Sequence, residues 1–151
     1  IHERLVGSEM CIRDRIDDAL NEFLVSIPVG RLRQIEKLRE KYNIYLLSNT
    51  NAIMWYGKIV DGFNIDGHNI TYYFDDILVS FEERVCKPDT LIFERAIHKF
   101  GINPSETIFF DDSIRNIEAA AASGFNGIHV KDATPFESLI NVFFNPVEGH
   151  D

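Results

Sequence analysis

The run Thr107-Ile-Phe-Phe-Asp-Asp112, followed at once by Ser113 and an Ala-rich stretch, restricts the possible folds more than any other part of this chain. A short apolar run entered through the turn residues Asn103-Pro104-Ser105 suits a strand buried on both faces. The residues after it, Ile114–Ser123, carry helical spacing and close at Gly124. A buried strand feeding directly into a helix is the building unit of a parallel sheet with crossover connections. Two adjacent carboxylates at the end of such a strand repel each other and are poorly solvated. A cation offsets that charge, and hard carboxylate oxygens suit Mg²⁺. In open α/β sheets the carboxyl ends of the strands are also where ligands bind.

The rest of the chain repeats the alternation. Val29–Tyr42 places Leu32, Ile35 and Leu38 on one face and Arg, Lys and Glu on the other, as an amphipathic surface helix does. Asn43–Ser48 reads as a buried strand, and Asn49-Thr-Asn51 supplies cap chemistry for a helix running to about Phe63. The Gly-, Asn- and Asp-rich 61–71 segment predicts a loop, before an aromatic turn and a short strand near Ile77–Ser80. A helix follows over Thr90–Phe100, stopped by Gly101. Gly127–Val130 is a further strand and Pro135–Phe144 a last helix. The fold class is therefore α/β, with helices on both faces of a parallel sheet.

With 151 residues, of which 45% are apolar, the chain is the size of one domain. Its formal charge of −9 argues against nucleic acid or an anionic membrane surface as partner. No apolar run approaches the roughly 18–20 residues of a spanning helix. Cys11 and Cys86 lack metal-ligand spacing, Cys86 reads as a small buried thiol, and a reduced cytoplasmic setting is the default. Leu5–Arg15 resembles the translation of a transposon adapter used in sequencing libraries, so residues 1–15 are set aside as an artefact of assembly. Residues 16–27 and 28–151 are then treated separately.

Three strand or loop ends carry chemistry, in the order Ser48-Asn49-Thr50, Lys87-Pro88, and Asp111-Asp112 with Asn116. This ordered set resembles motifs two, three and four of the haloacid dehalogenase (HAD) superfamily, and the resemblance covers essentially all of Ile16–Lys131. Val130-Lys-Asp132 and Leu46-Leu-Ser-Asn-Thr-Asn51 are most similar to the branch that holds sugar-phosphate phosphatases such as α-glucose-1-phosphate phosphatase. The resemblance implies a Rossmann-like core, Mg²⁺ as cofactor, and a small-molecule phosphate ester as substrate, with the oligomeric state left open. It also implies roles. Ser48 and the Asn49 backbone N–H would hold phosphate oxygens, and Lys87 would neutralise the phosphoryl charge. Asp112 would be the main metal ligand with Asp111 assisting. Asn116 would orient Asp112 or a metal-bound water. Each has a structural competitor: Ser48 as a helix cap, Lys87 as a solvated lysine, the acidic pair as cap and first-turn acid.

Members of this superfamily attack with an Asp at the end of their first strand, forming an aspartyl-phosphate, with a second Asp two residues on as acid and base. No such pattern precedes Ser48 here. Asp17-Asp18 lies in an amphipathic stretch, and Asp75-Asp76 is adjacent rather than alternating. The resemblance therefore implies an N-terminally truncated and inactive chain, with 16–27 the remnant of a helical cap and 28–151 the hydrolase core. The strands ending at Ser48 and Phe110 should then pair directly or flank a slot about two strand spacings wide, nearly 10 Å. Such open edges predict a chain that is unstable or aggregates on its own. Two other readings remain: a 2-haloacid dehalogenase-type hydrolase, and a non-catalytic receiver-like domain. The order hydroxyl, lysine, acids is the reverse of a receiver's.

Overall fold

In the computed structural model, which describes residues 27–146, Pro28 stands in extended conformation before helix α1, Val29–Arg39. Proline's fixed φ suits a helix start. α1 buries Leu32 and Leu38 and carries Lys37 and Arg39 in its last turn, where cations favour the helix dipole. It ends three residues before the expected Tyr42. The chain then enters strand β1, Tyr45–Ser48.

The Asn51 side chain caps the next helix by accepting the Met54 N–H. That helix, α2, comprises Ala52–Met54, a π-helical turn Trp55–Ile59, and Val60–Gly62. Within the expected loop, Asn69 caps a single turn, α3, Ile70–Tyr73. Strand β2, Asp76–Val79, pairs in parallel with β1 in the register Tyr45↔Asp76 to Ser48↔Val79. The Asp75-Asp76 pair sits at the far end of this sheet. Asp75 accepts the Ile44 N–H at 2.7 Å and meets Arg39 at 2.9 Å, so it fastens a strand entrance.

A short helix α4, Ser80–Glu83, closes on Arg84 in the left-handed region, and the chain passes Lys87-Pro88 into α5, Thr90–Phe100. Asp89 caps α5 through the Leu91 N–H, and Gly101, at φ 61°, ends it. A 3-10 turn, Pro104–Glu106, leads into β3, Ile108–Asp111. Helix α6, Ile114–Ala122, returns the chain to β4, Asn126–His129, which pairs in parallel with β3 from Ile108↔Asn126 to Asp111↔His129. Helix α7, Phe136–Phe144, follows. The expected helix over 16–25 lies outside the described residues.

Successive side chains of β2 enter opposite faces, as strand geometry demands. Val79 joins a cluster with Leu32, Trp55, Phe63, Ile70, Tyr73 and Phe74. Its neighbour Leu78 joins one with Ile92, Phe93, Ala96, Ala120 and Phe125. Helices therefore cover both faces, as the apolar strands require. The second cluster joins the two strand pairs through α5. Phe93 meets Phe109 edge-on at 5.2 Å, and Phe100 stacks on Tyr45 at 4.6 Å.

Among the described residues β1 pairs only with β2, and β3 only with β4. Between β1 and β3 lies a largely apolar cavity of about 710 Å³, lined by Tyr45, Leu46 and Leu47 on one side and Ile108, Phe109 and Phe110 on the other. Of the two expected arrangements, direct pairing or a slot, the structure has the second.

Candidate active site

Parallel strands put their carboxyl ends on one side of the molecule, and Ser48, Asp111 and the loop after α4 meet there. Ser48, Asn49, Lys87, Asp111, Asp112 and Asn116 line a single polar pocket of about 360 Å³. All six residues singled out from the sequence are in it.

The buried centre is an ion pair. Lys87 Nζ donates to Asp111 Oδ2 at 2.7 Å, with the two side chains only 10% and 7% exposed. Two buried charges hold only when geometry and further hydrogen bonds satisfy them. Asp111 has those bonds: its Oδ1 accepts the Ser113 N–H at 2.8 Å, and Asn116 Nδ2 donates to both oxygens at 3.1 and 3.2 Å. Burial pushes the Asp111 carboxyl up, but the Lys87 charge, its hydrogen bond and those from Ser113 and Asn116 outweigh it. They hold the group below the usual carboxylate range. Asn116 was expected to orient Asp112 or a metal-bound water. It grips Asp111 instead, because one turn into α6 its side chain reaches back over the strand end.

Lys87 is positioned by its backbone. The Asn49 side chain donates to the Lys87 carbonyl at 3.0 Å and accepts the Lys87 N–H at 2.9 Å. The Asn49 amide is thus engaged twice and ties β1 to the loop. A second reciprocal pair lies just beneath. Ser80 Oγ accepts the Thr50 N–H at 2.9 Å and donates to the Thr50 carbonyl at 3.0 Å, fully buried. The cap of α2 is Asn51, not Ser48. The Ser48 hydroxyl makes no hydrogen bond among the described residues and remains available to a ligand.

Asp112 differs from its neighbour. It is exposed, and its carboxylate has no partner among the described residues. Its backbone carbonyl accepts from His129 Nε2 at 2.8 Å, which fixes the proton on that nitrogen because a carbonyl only accepts. Among the described residues no three His, Cys, Asp or Glu gather into a metal cage. One unpaired carboxylate nevertheless fits Mg²⁺, which keeps several waters and takes one or two carboxylates with substrate phosphate.

Sequence reasoning missed Ser80, Arg115 and His129. Ser80 and His129 stand at the carboxyl ends of β2 and β4, and that position was the available signal. Arg115 lines the pocket from the first turn of α6.

Comparisons with known proteins agree with this geometry. The chain is 29% identical over 141 residues to D-ribitol-5-phosphate phosphatase of Bacteroides thetaiotaomicron, covering 93% of this chain and 68% of that protein. It superposes on the crystal structure of a HAD family enzyme from the same organism with a TM-score of 0.74 at 38% identity, covering 83% of this chain and 62% of the other. That enzyme has also been solved with magnesium, and with magnesium and inorganic phosphate. (S)-2-haloacid dehalogenase 1 of a Pseudomonas species is 28% identical over 121 residues, 79% of this chain and 49% of that enzyme. The chain thus spans about two thirds of the phosphatase and less of the other two. Residues 29–124, which carry the strand ends, the buried lysine–aspartate pair and the helix behind it, match the haloacid dehalogenase-like hydrolases, and to that family the chain belongs.

Proposed function

We propose that this chain carries the phosphoryl-binding part of a Mg²⁺-dependent phosphatase of small phosphorylated metabolites, with polyol and sugar phosphates as the favoured substrates. The observation that carries the reading is the division of labour in the acidic pair. Asp111 is committed to Lys87, and Asp112 is left free. Similarity to a D-ribitol-5-phosphate phosphatase supports the substrate class.

Ser48 and the Asn49 backbone N–H hold the phosphoryl oxygens. Lys87, fixed from both sides by Asn49 and Asp111, presents a point charge to them. Asp112 would hold Mg²⁺, which when bound supplies the remaining neutralisation of the phosphoryl group. Asn116 keeps Asp111 aligned and so acts on Lys87 at one remove. The attacking carboxylate is not among the strand ends described, which carry Ser48, Val79, Asp111 and His129. It would come from a further strand between β1 and β3, beside Ser48 and Asp111, and the chain without it is inactive.

Turnover of ribitol 5-phosphate and other phosphate esters by the product of the gene extended upstream, with and without Mg²⁺, tests this. Activity should require Mg²⁺ and fall at least about a hundredfold in Asp112→Ala, on the scale of losing a group that stabilises transition-state charge. Metal-independent turnover, or full activity of that variant, would overturn the assignment. In the same assay the 151-residue chain should give no turnover above blank.

A further inference from the structure

Pairing within the pocket leaves one cation and one carboxylate without a partner among the described residues. Its charged side chains are Lys87, Asp111, Asp112 and Arg115. Lys87 is bound at 2.7 Å to Asp111, which offsets part of its charge. The Asp112 carboxylate faces the pocket with a negative charge of its own. Arg115 is exposed and has no hydrogen bond, ion pair or ring contact among the described residues. It also stands in the first turn of α6, which holds no acidic residue. A cation there opposes the helix dipole, so helix stability does not account for its placement. An anion placed in the pocket would gain from both the guanidinium and the helix end.

We infer that Arg115 is a further substrate-binding residue, whose guanidinium takes the oxygens of the phosphoryl group at the mouth of the pocket. The inference rests on the phosphatase reading and adds to it the cation that binds the incoming dianion. Lys87, already paired, then serves chiefly the charge that develops later. A guanidinium suits this place because its planar fork matches two oxygens of one phosphate.

The test is equilibrium binding of inorganic phosphate to the full chain at low micromolar concentration and low salt, with Mg²⁺, followed by calorimetry. Arg115→Ala should weaken binding at least about tenfold, and Arg115→Lys by less, as loss of charge-assisted hydrogen bonds predicts. Because Arg115 is exposed, circular dichroism of both variants should match the parent. Lys87→Met serves as the comparison. Unchanged affinity in Arg115→Ala while Lys87→Met loses binding would overturn the role of Arg115 and leave the phosphatase reading standing. No phosphate binding by the parent chain would overturn both. Equal weakening by Arg115→Ala and Arg115→Lys to nonspecific levels would favour the fork, not the charge, and still support the contact.

Discussion

At the scale of single residues, the Lys87–Asp111 pair decides most. Removing one partner of a buried, hydrogen-bonded pair costs about 3–5 kcal/mol, because the other charge stays behind uncompensated. Lys87→Met should therefore lower stability by that order, read as a drop in urea midpoint. The acid dependence follows from the sign of the Asp111 shift. Its carboxyl titrates lower in the folded than in the unfolded chain, so its contribution is complete above the unfolded value, near pH 4. It is lost as pH falls through the folded value. Lys87→Met should flatten this limb below about pH 4. An unaltered acid slope would show that other carboxylates govern it. The residues of the site were legible in the sequence because their order along the chain is distinctive. Their pairings were not. Which acid Asn116 grips, and that the Asn49 side chain binds backbone, depend on how α6 and the loop after α4 sit over the strands.

At the scale of elements, β4 and α6 approach so closely that one position has no room for a side chain. A Cβ at Gly127 would lie 2.7 Å from Ile117 Cγ2. Gly127→Ala should cost about 1–3 kcal/mol through overpacking. Ile117→Ala in the same chain should make the second substitution much milder, because it removes the clashing atom. Additive losses in a urea-melt double-mutant cycle would show that the contact is not the cause. Strands and helices were mostly readable, since apolar runs and caps such as Asp89, Asn51 and Gly101 act locally. The misses are of another kind. The π turn inside α2, which starts at the buried Trp55, is not revealed by a helical pattern alone. The early end of α1 reflects the loss of buried contacts after Leu38, with Tyr42 48% exposed.

At the scale of the molecule, the two parallel strand pairs are joined by α5 and its aromatic contacts rather than by hydrogen bonds between β1 and β3. Strand edges that have no partner among the described residues, beside an apolar cavity, invite pairing with another chain. The 151-residue chain should therefore unfold with low cooperativity and elute as larger species when its concentration rises. A sharp thermal transition together with concentration-independent monomeric elution would show those edges to be covered. A sequence can announce two strands by their apolar runs, but whether they are neighbours is settled by what else enters the sheet. That is why the slot could be stated only as one of two arrangements.

The reciprocal hydrogen bonds between the Asn49 amide and the Lys87 backbone have a thermodynamic consequence. They join the segment bearing the hydroxyl to the segment bearing the ammonium, although 38 residues separate the clamp's two ends. Most of the conformational freedom that these groups would lose on meeting a phosphate is already lost when the chain folds. Such preorganisation shows as tighter binding without any added contact. It also makes Asn49 a residue whose replacement would alter the entropy of phosphate binding more than its enthalpy.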